Sequence, residues 1–458
     1  MDETSEKTIV KLLRNQRAFF DTHQTKSIDF RLVQLRKLKN IILNSREKIE
    51  EALWKDLHKS PEEVFLTEIS IVLQEIELHI KNLKKWARPK RVSTPLVLFP
   101  SSSKIIYEPL GVSLIIAPWN YPFQLIFNSL IGSISSGCCS ILKPSPDAPA
   151  IATLMEEMIS ATYDPNYIAL IQGGKETNML LFKERFDIIF FTGSSKVGKI
   201  VMKAAAEHLT PVVLELGGKS PCIVDEDANI DIAAKRIAWG KMVNAGQTCI
   251  APDYLFVHES VKQSLLDKIS YNINQMYGDD IKNSRFYPRI VNEGAMKRLH
   301  GLLKEGTIHT GGEIDHKEKF VAPTIIDDVK PEHLVMQGEI FGPILPVMSF
   351  KHIAECISYI NQNEKPLAFY YFGGNKNAKE VFAKSTSGGA CINDTLMHIA
   401  NHKLPFGGVG NSGIGKYHGK ESFLAFSNQR GIVKTPTWID LPLKYVPFKY
   451  FKLIKKIL

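Results

Sequence analysis

Residues 111–143 read GVSLIIAPWNYPFQLIFNSLIGSISSGCCSILK. The run is apolar from Val112 to Leu142, yet Pro118, Asn120, Pro122, Asn128, Gly132 and Gly137 interrupt it. A membrane-spanning helix needs about 20 uninterrupted apolar residues, so the run reads as two buried strands around a buried helix. Further apolar runs follow at Ile168–Ile171, Ile188–Phe191 and Val212–Leu214. Stretches of helical crossover length separate most of them. That alternation is the pattern of a parallel sheet covered on both faces.

A second alternating unit begins at Pro221. Its candidate strands are Pro221–Val224, Tyr254–Val257, Leu345–Phe350, Ala368–Phe372 and Ala390–Asn393. Helices are predicted to start after Asn229, Glu259, Lys351 and Asn377. Upstream, residues 1 to about 90 read as helices. Ile42, Leu43, Ile49 and Leu53, then Phe65, Ile69, Val72, Leu73 and Ile76, recur at helical period. Charged residues fill much of the other faces. Between the helices and the first sheet, Ser101-Ser102-Ser103 reads as a turn joining two extended pieces, Pro95–Phe99 and Lys104–Glu108.

A chain of 458 residues exceeds one compact core. The expected division is a nucleotide-type domain over 1–92 and 111–210 and a second α/β domain over 211–397. A small assembly element covers 93–110 and 398–432, and a basic tail covers 433–458. Lysine and arginine exceed acids by 57 − 48 = 9. Five of those lysines (Lys444, Lys449, Lys452, Lys455 and Lys456) lie in the last stretch, which argues against a broad nucleic-acid groove. The acidic start Met1-Asp2-Glu3 is unlike a secretory signal. The six cysteines form no Cys-x-x-Cys pair and no Cys/His cluster of the zinc kind. Reduced thiols in a cytoplasmic protein without a metal are the economical reading.

Cys249 ends the string Asn244-Ala245-Gly246-Gln247-Thr248-Cys249. A thiol is a soft nucleophile that can add to a carbonyl carbon. Standing alone it would read as an inert buried cysteine. Glu215 lies 249 − 215 = 34 residues upstream, in Leu214-Glu215-Leu216-Gly217-Gly218-Lys219. Its carboxylate can take the thiol proton or activate water. Asn120, in Pro118-Trp119-Asn120-Tyr121-Pro122, supplies an amide able to donate to an oxyanion, with the Cys249 N–H as second donor. Phe191-Thr192-Gly193-Ser194-Ser195-Lys196-Val197-Gly198 joins a strand to a helix. Gly193 allows a tight turn and the helix start favours phosphate, but the Gly-x-x-x-x-Gly spacing reads equally as a helix cap. Lys143, in Lys143-Pro144-Ser145, ends the second strand and could meet ribose hydroxyls. Glu339 and Phe341, in Glu339-Ile340-Phe341-Gly342-Pro343, could supply a ribose acceptor and a ring beside a nicotinamide.

These six strings, in their order along the chain from Pro118 to Pro343, resemble the aldehyde dehydrogenase superfamily. Gly246–Tyr254, Leu404–Gly413 and Tyr417-His418-Gly419-Lys420 are similar to its class 3, or fatty-aldehyde, branch. The resemblance implies an α/β fold with a Rossmann-type cofactor domain, an α/β catalytic domain and a small β oligomerisation element. It implies NAD or NADP as cofactor, bound by Trp119, Lys143, Gly193, Ser194, Ser195, Lys196, Val197, Gly198, Glu339 and Phe341. It also implies a homodimer, and catalysis by Cys249, Glu215 and Asn120 through a thiohemiacetal and a thioester. One departure is informative. Pro146 stands where the family often carries an acid after Lys-Pro-Ser, with Asp147 next. Without that carboxylate, a 2′-phosphate meets less repulsion, so NADP+ is expected to be tolerated beside NAD+.

Tyr121, Ile250 and Phe406, with Trp119, point to an apolar tunnel for medium- or long-chain, aromatic or terpenoid aldehydes. Phe448, Phe451, Ile454 and Leu458 fall near one helical face of a cationic tail. Residues 444–458 could therefore rest on anionic lipid or dock on their own subunit. Three rival readings remain beside the dehydrogenase. A cysteine-dependent esterase would need a nearby histidine, and none stands in the Cys249 string. A CoA-acylating enzyme is disfavoured by Glu215. A non-catalytic nucleotide-binding or structural protein is disfavoured by the trio together.

Overall fold

The computed structural model describes residues 3–440, 442–448, 450–452 and 455. Its first sheet has six strands in the order Gly413–Ile414, Val212–Leu216, Ile188–Gly193, Val112–Ile116, Cys139–Lys143 and Ile168–Leu170. All neighbours are parallel except Gly413–Ile414, which runs antiparallel on the edge with Gly413 opposite Glu215. The chain starts in the middle at Val112–Ile116, fills one side, then returns to fill the other. Such a reversal opens a crevice at the carboxyl ends of the strands.

The 111–143 stretch forms two fully buried strands around the buried helix Pro122–Ser136. Pro122 sits in the first turn of that helix, where its missing N–H costs nothing. Gly137 ends it at φ 94°, a left-handed cap that favours glycine.

The second sheet has seven strands: Thr307–Thr310, Thr324–Asp327, Ile344–Phe350, Tyr254–His258, Pro221–Val224, Ala368–Phe372 and Gly389–Ile392. The five predicted from sequence are there. Two short strands are added, Thr307–Thr310 on the edge and Thr324–Asp327 beside it, and they pair antiparallel through a register shift. The helices Ile230–Met242, Lys262–Tyr277 and Ile353–Gln362 follow their predicted starts. The fourth, Asn375–Lys384, begins before Asn377, capped by Gly374.

Three expectations are corrected. Val212–Leu216 pairs with Ile188–Gly193, so the first sheet extends past residue 210 and includes Glu215. Pro95–Phe99 is not a strand, because Leu96–Leu98 forms a 3-10 turn. The partner of Ser102–Pro109 is instead Lys90–Val92, with Ser427–Lys434 on its other edge, giving a three-stranded antiparallel sheet. That third strand runs two residues into the segment assigned to the tail. Within the tail, Lys449, Ile454, Lys456 and Leu458 lie outside the described residues. Among the described residues, no helix is long and apolar enough to cross a membrane.

Candidate functional site

The site lies where the carboxyl ends of the first sheet meet the Cys249 segment. Helix Ile230–Met242 leads into a tight path in which Asn244 (φ 53°), Ala245 (φ 49°) and Gly246 (φ 71°) are all left-handed. At Gly246 a side chain is barred: a Cβ would stand 2.2 Å from the Gly342 carbonyl oxygen. Glycine there lets the Glu339–Pro343 loop press against the cysteine segment.

The Asn120 loop is bolted to that segment. Asn120 Nδ2 donates to the Gln247 carbonyl at 3.0 Å, leaving a second N–H free, while its Oδ1 has no partner. The Asn120 carbonyl accepts from Asn244 Nδ2 (2.9 Å) and from Lys59 Nζ (2.8 Å). Lys59 and Glu68 form a fully buried ion pair at 2.7 Å. Glu68 Oε2 accepts the Phe123 and Gln124 N–H groups, closing the start of helix Pro122–Ser136. Glu63 accepts the Asn244 N–H at 2.9 Å, and burial pushes its carboxyl up to about 7. Tyr121 meets Thr248 through a 2.7 Å hydroxyl contact.

Cys249, Glu215, Tyr121, Ile250 and Phe406 line one cavity of about 360 Å³, walled mostly by apolar side chains. Burial, with the Glu339 and Glu215 carboxyls nearby, pushes the Cys249 thiol above its ordinary range, so it rests protonated. Glu215 is buried and neither of its carboxyl oxygens has a hydrogen-bond partner. Burial raises its pKa well above the usual carboxylate range, opposed by Lys416. A Cβ at Gly407 would approach Glu215 Oε1 to 2.7 Å, so the glycine-rich segment presses on the carboxyl.

A second cavity of about 230 Å³ takes Ser195 and Glu339 into its wall, with Gly217, Gly218 and Asn411. Burial, then the charge of Asp253, pushes Glu339 up to about 8, and its Oε1 has no partner. Helix Ser195–Ala206 is capped by Ser194, whose Oγ accepts the Val197 N–H. The N–H groups of Ser195 and Lys196 are left without intrahelical acceptors. The Ser195 hydroxyl itself donates to the Asn411 carbonyl at 2.9 Å. A Cβ at Gly198 would stand 2.6 Å from Leu216 Cδ2, so glycine there packs the helix close to the sheet. Lys143 Nζ is buried and donates to the Pro144 carbonyl at 2.7 Å; burial brings it down to about 8. Trp119 meets Phe341 edge-on, ring centroids 5.4 Å apart. Asp147 turns to Asn292, whose Nδ2 it accepts at 3.1 Å.

Other residues of the cavity walls escape sequence reading. Thr192, Trp239, Leu396, Met397, His402 and Tyr417 line the larger cavity from widely separated segments. Lys59 and Glu68 carry a misleading signal, since charges in an amphipathic stretch read as a solvated face.

A thiol and a buried carboxyl face one apolar chamber beside the crevice of a doubly wound sheet, an arrangement of the nucleotide-binding α/β class. The sequence model of the aldehyde dehydrogenase family matches residues 1–432, and the chain belongs to that family. It is 48% identical to the 4,4'-diaponeurosporen-aldehyde dehydrogenase of Staphylococcus aureus, over 96% of this chain and 97% of that one. It is 43% identical to the dimeric NADP-preferring aldehyde dehydrogenase of Rattus norvegicus, over 92% of this chain and 94% of that one. A solved structure, the substrate-bound state of Staphylococcus aureus AldH, superposes with a TM-score of 0.96 at 47% identity, covering 98% and 99% of the two chains. The protein is an NAD(P)-dependent aldehyde dehydrogenase with the fold of that family.

Proposed function

We propose that the enzyme oxidises hydrophobic, medium- to long-chain aldehydes to acids through a covalent Cys249 intermediate. The observation that carries this reading is the apolar cavity whose walls include both Cys249 and Glu215. The Cys249 sulfur adds to the aldehyde carbon, and its proton passes to solvent, directly or by way of Glu215. The free N–H of Asn120 and the Cys249 N–H hold the oxyanion of the thiohemiacetal. A nicotinamide cofactor held by the residues named below would supply the hydride acceptor for that carbon. Glu215 then takes a proton from water as it attacks the thioester, and the acid leaves. A carboxyl with no fixed hydrogen bond is free to turn between these tasks.

Polar groups at the second cavity and at the ends of the first sheet's strands suit a dinucleotide. Glu339 Oε1 is an unpartnered acceptor, and Lys143 Nζ keeps donors beyond its bond to Pro144. The capped helix at Ser194 presents free N–H groups for a phosphate. These residues, with Gly193, Lys196, Val197, Gly198, Trp119 and Phe341, are the proposed cofactor site. Asp147, held by Asn292 and exposed, leaves NADP+ acceptable.

The proposed domain division places assembly on the three-stranded sheet. Val433 on that sheet, and Leu96 and Phe99 in the connection between its first two strands, are more than half exposed, which suits a homodimer interface. The basic tail, with exposed Tyr450 and Phe451, is proposed to touch anionic membrane from the cytoplasmic side.

The test is NAD(P)H formation with a ladder of aldehydes from short to long, on each cofactor. Rising kcat/KM with chain length, and NADP+ within about a hundredfold of NAD+, or roughly 2.7 kcal/mol, are expected. A flat ladder would contradict the apolar tunnel. A wider cofactor gap would contradict the reading of Pro146. Liposome binding unchanged by deletion of residues 444–458 would contradict the membrane role.

A further inference from the structure

The helix Ser70–Trp86 buries two polar residues one turn apart, Glu75 and His79, against the loop that ends in His418-Gly419. Glu75 Oε1 accepts the Gly419 N–H at 2.6 Å and lies 3.1 Å from His79 Nε2. His79 Nδ1 is in turn 2.6 Å from Ser135 Oγ. The other oxygen, Oε2, lies 2.9 Å from His402 Nδ1, an ion-pair separation. His418 is 2% exposed, and both of its ring nitrogens lack partners. Buried imidazole nitrogens and carboxylate oxygens are costly to leave unsatisfied. The two free ring nitrogens of His418, beside that pair, call for a partner the chain itself does not supply.

We propose that Glu75, His402 and His418 form a binding site for a divalent transition-metal cation of the Zn²⁺ class. One ligand atom from each of the three lies within 4.8 Å of the others. Metal–ligand bonds of about 2.0–2.2 Å imply ligand atoms roughly 3.3 Å apart in a tetrahedron. His402 stands on a loop and is partly exposed, so its side chain can close that difference. Two imidazoles and one carboxylate suit Zn²⁺ or Co²⁺ over Mg²⁺ or Ca²⁺, which favour oxygen ligands. His79 then supports the carboxylate from behind, the usual arrangement around a metal ligand.

The site adjoins the substrate cavity without containing its chemistry. His402 lines the cavity, and His418 follows Tyr417, which lines it too. His418 adopts φ 79°, an uncommon conformation for a non-glycine residue. A bound cation would fasten that strained loop, and with it the cavity wall, to helix Ser70–Trp86. The site would therefore stiffen the aldehyde chamber.

The test uses the full chain carrying Cys249→Ala, which removes the cavity thiol as a competing ligand. Zn²⁺ is titrated by calorimetry and Co²⁺ by visible absorption. One equivalent per chain is expected, with a Co²⁺ spectrum of nitrogen and oxygen ligation and a raised melting temperature. His402→Ala, at the partly exposed ligand, should weaken binding by at least about a hundredfold. His79→Gln should weaken it about 10- to 100-fold, as outer-shell substitutions do. Equal affinity in the parent and a folded His402→Ala variant would overturn the site. So would thiolate-type Co²⁺ absorption, or no binding at micromolar protein.

Discussion

The loop that carries Asn120 and the carboxyls of Glu215 and Glu339 lie close to the same cysteine, yet they are built in opposite ways. The Asn120 backbone is held by Lys59 and Asn244, and the helix behind it by Glu68. Glu215 has no hydrogen-bond partner at all, and Glu339 Oε1 has none. Groups proposed to hold a charge in place are fixed by a low-dielectric network that costs nothing to reorganise during reaction. Groups proposed to change protonation or partner are buried but left loose. Burial then raises their pKa values, helped at Glu339 by the charge of Asp253.

Substitutions should separate the two regions by what they damage. The largest effect belongs to neither region but to the atom between them. Cys249→Ala should lower kcat by about 10⁴-fold or more with cofactor affinity retained, read by steady-state NAD(P)H formation and cofactor titration. On the fastened side, Lys59→Met leaves Glu68 buried and unpaired. A loss of about 3–5 kcal/mol in folding stability is expected, measured by urea denaturation. Much of it should return in the double variant with Glu68→Leu. A loss under about 1 kcal/mol would show that the ion pair does not hold the loop. Asn120→Ala should keep the fold but cost about 10²–10³ in kcat. A change confined to KM would contradict an oxyanion role.

The loose side should answer to pH. Glu215 holds its proton more tightly folded than unfolded, so the folded state binds more protons between the two pKa values. Its contribution to stability is therefore full below the unfolded value, about 4.3, and is lost as pH rises through the folded one. Glu215→Gln should match the parent near pH 4 and exceed it in melting temperature at pH 9. The effect is the smallest of the set, and a gap that widens toward acid would reverse the reading of Glu215.

How much of this was legible beforehand follows the same division. The strands of both sheets stand out where apolar runs end in Lys143, Gly193 or Leu216, because buried parallel strands carry a strong local pattern. The Cys249, Glu215 and Asn120 strings are local too, and the fold brings all three together. Pro95–Phe99 misleads because an exposed apolar run satisfies strand composition without a pairing partner. Lys59, Glu68, Glu75 and His418 were invisible for a different reason. Their meaning lies in partners up to hundreds of residues away, as when Gly419 meets Glu75, and charge periodicity on a helix cannot show that a charge is buried.

The central claim is that Cys249 is acylated and Glu215 releases the acyl group. Stopped-flow NAD(P)H formation with Glu215→Gln and a long-chain aldehyde tests it most directly, with intact-protein mass measured after the reaction. The account predicts one rapid equivalent of NAD(P)H per active site, then near arrest, with the mass of the acyl group added at Cys249. Sustained turnover at the parent rate, with no burst and no adduct, would contradict it.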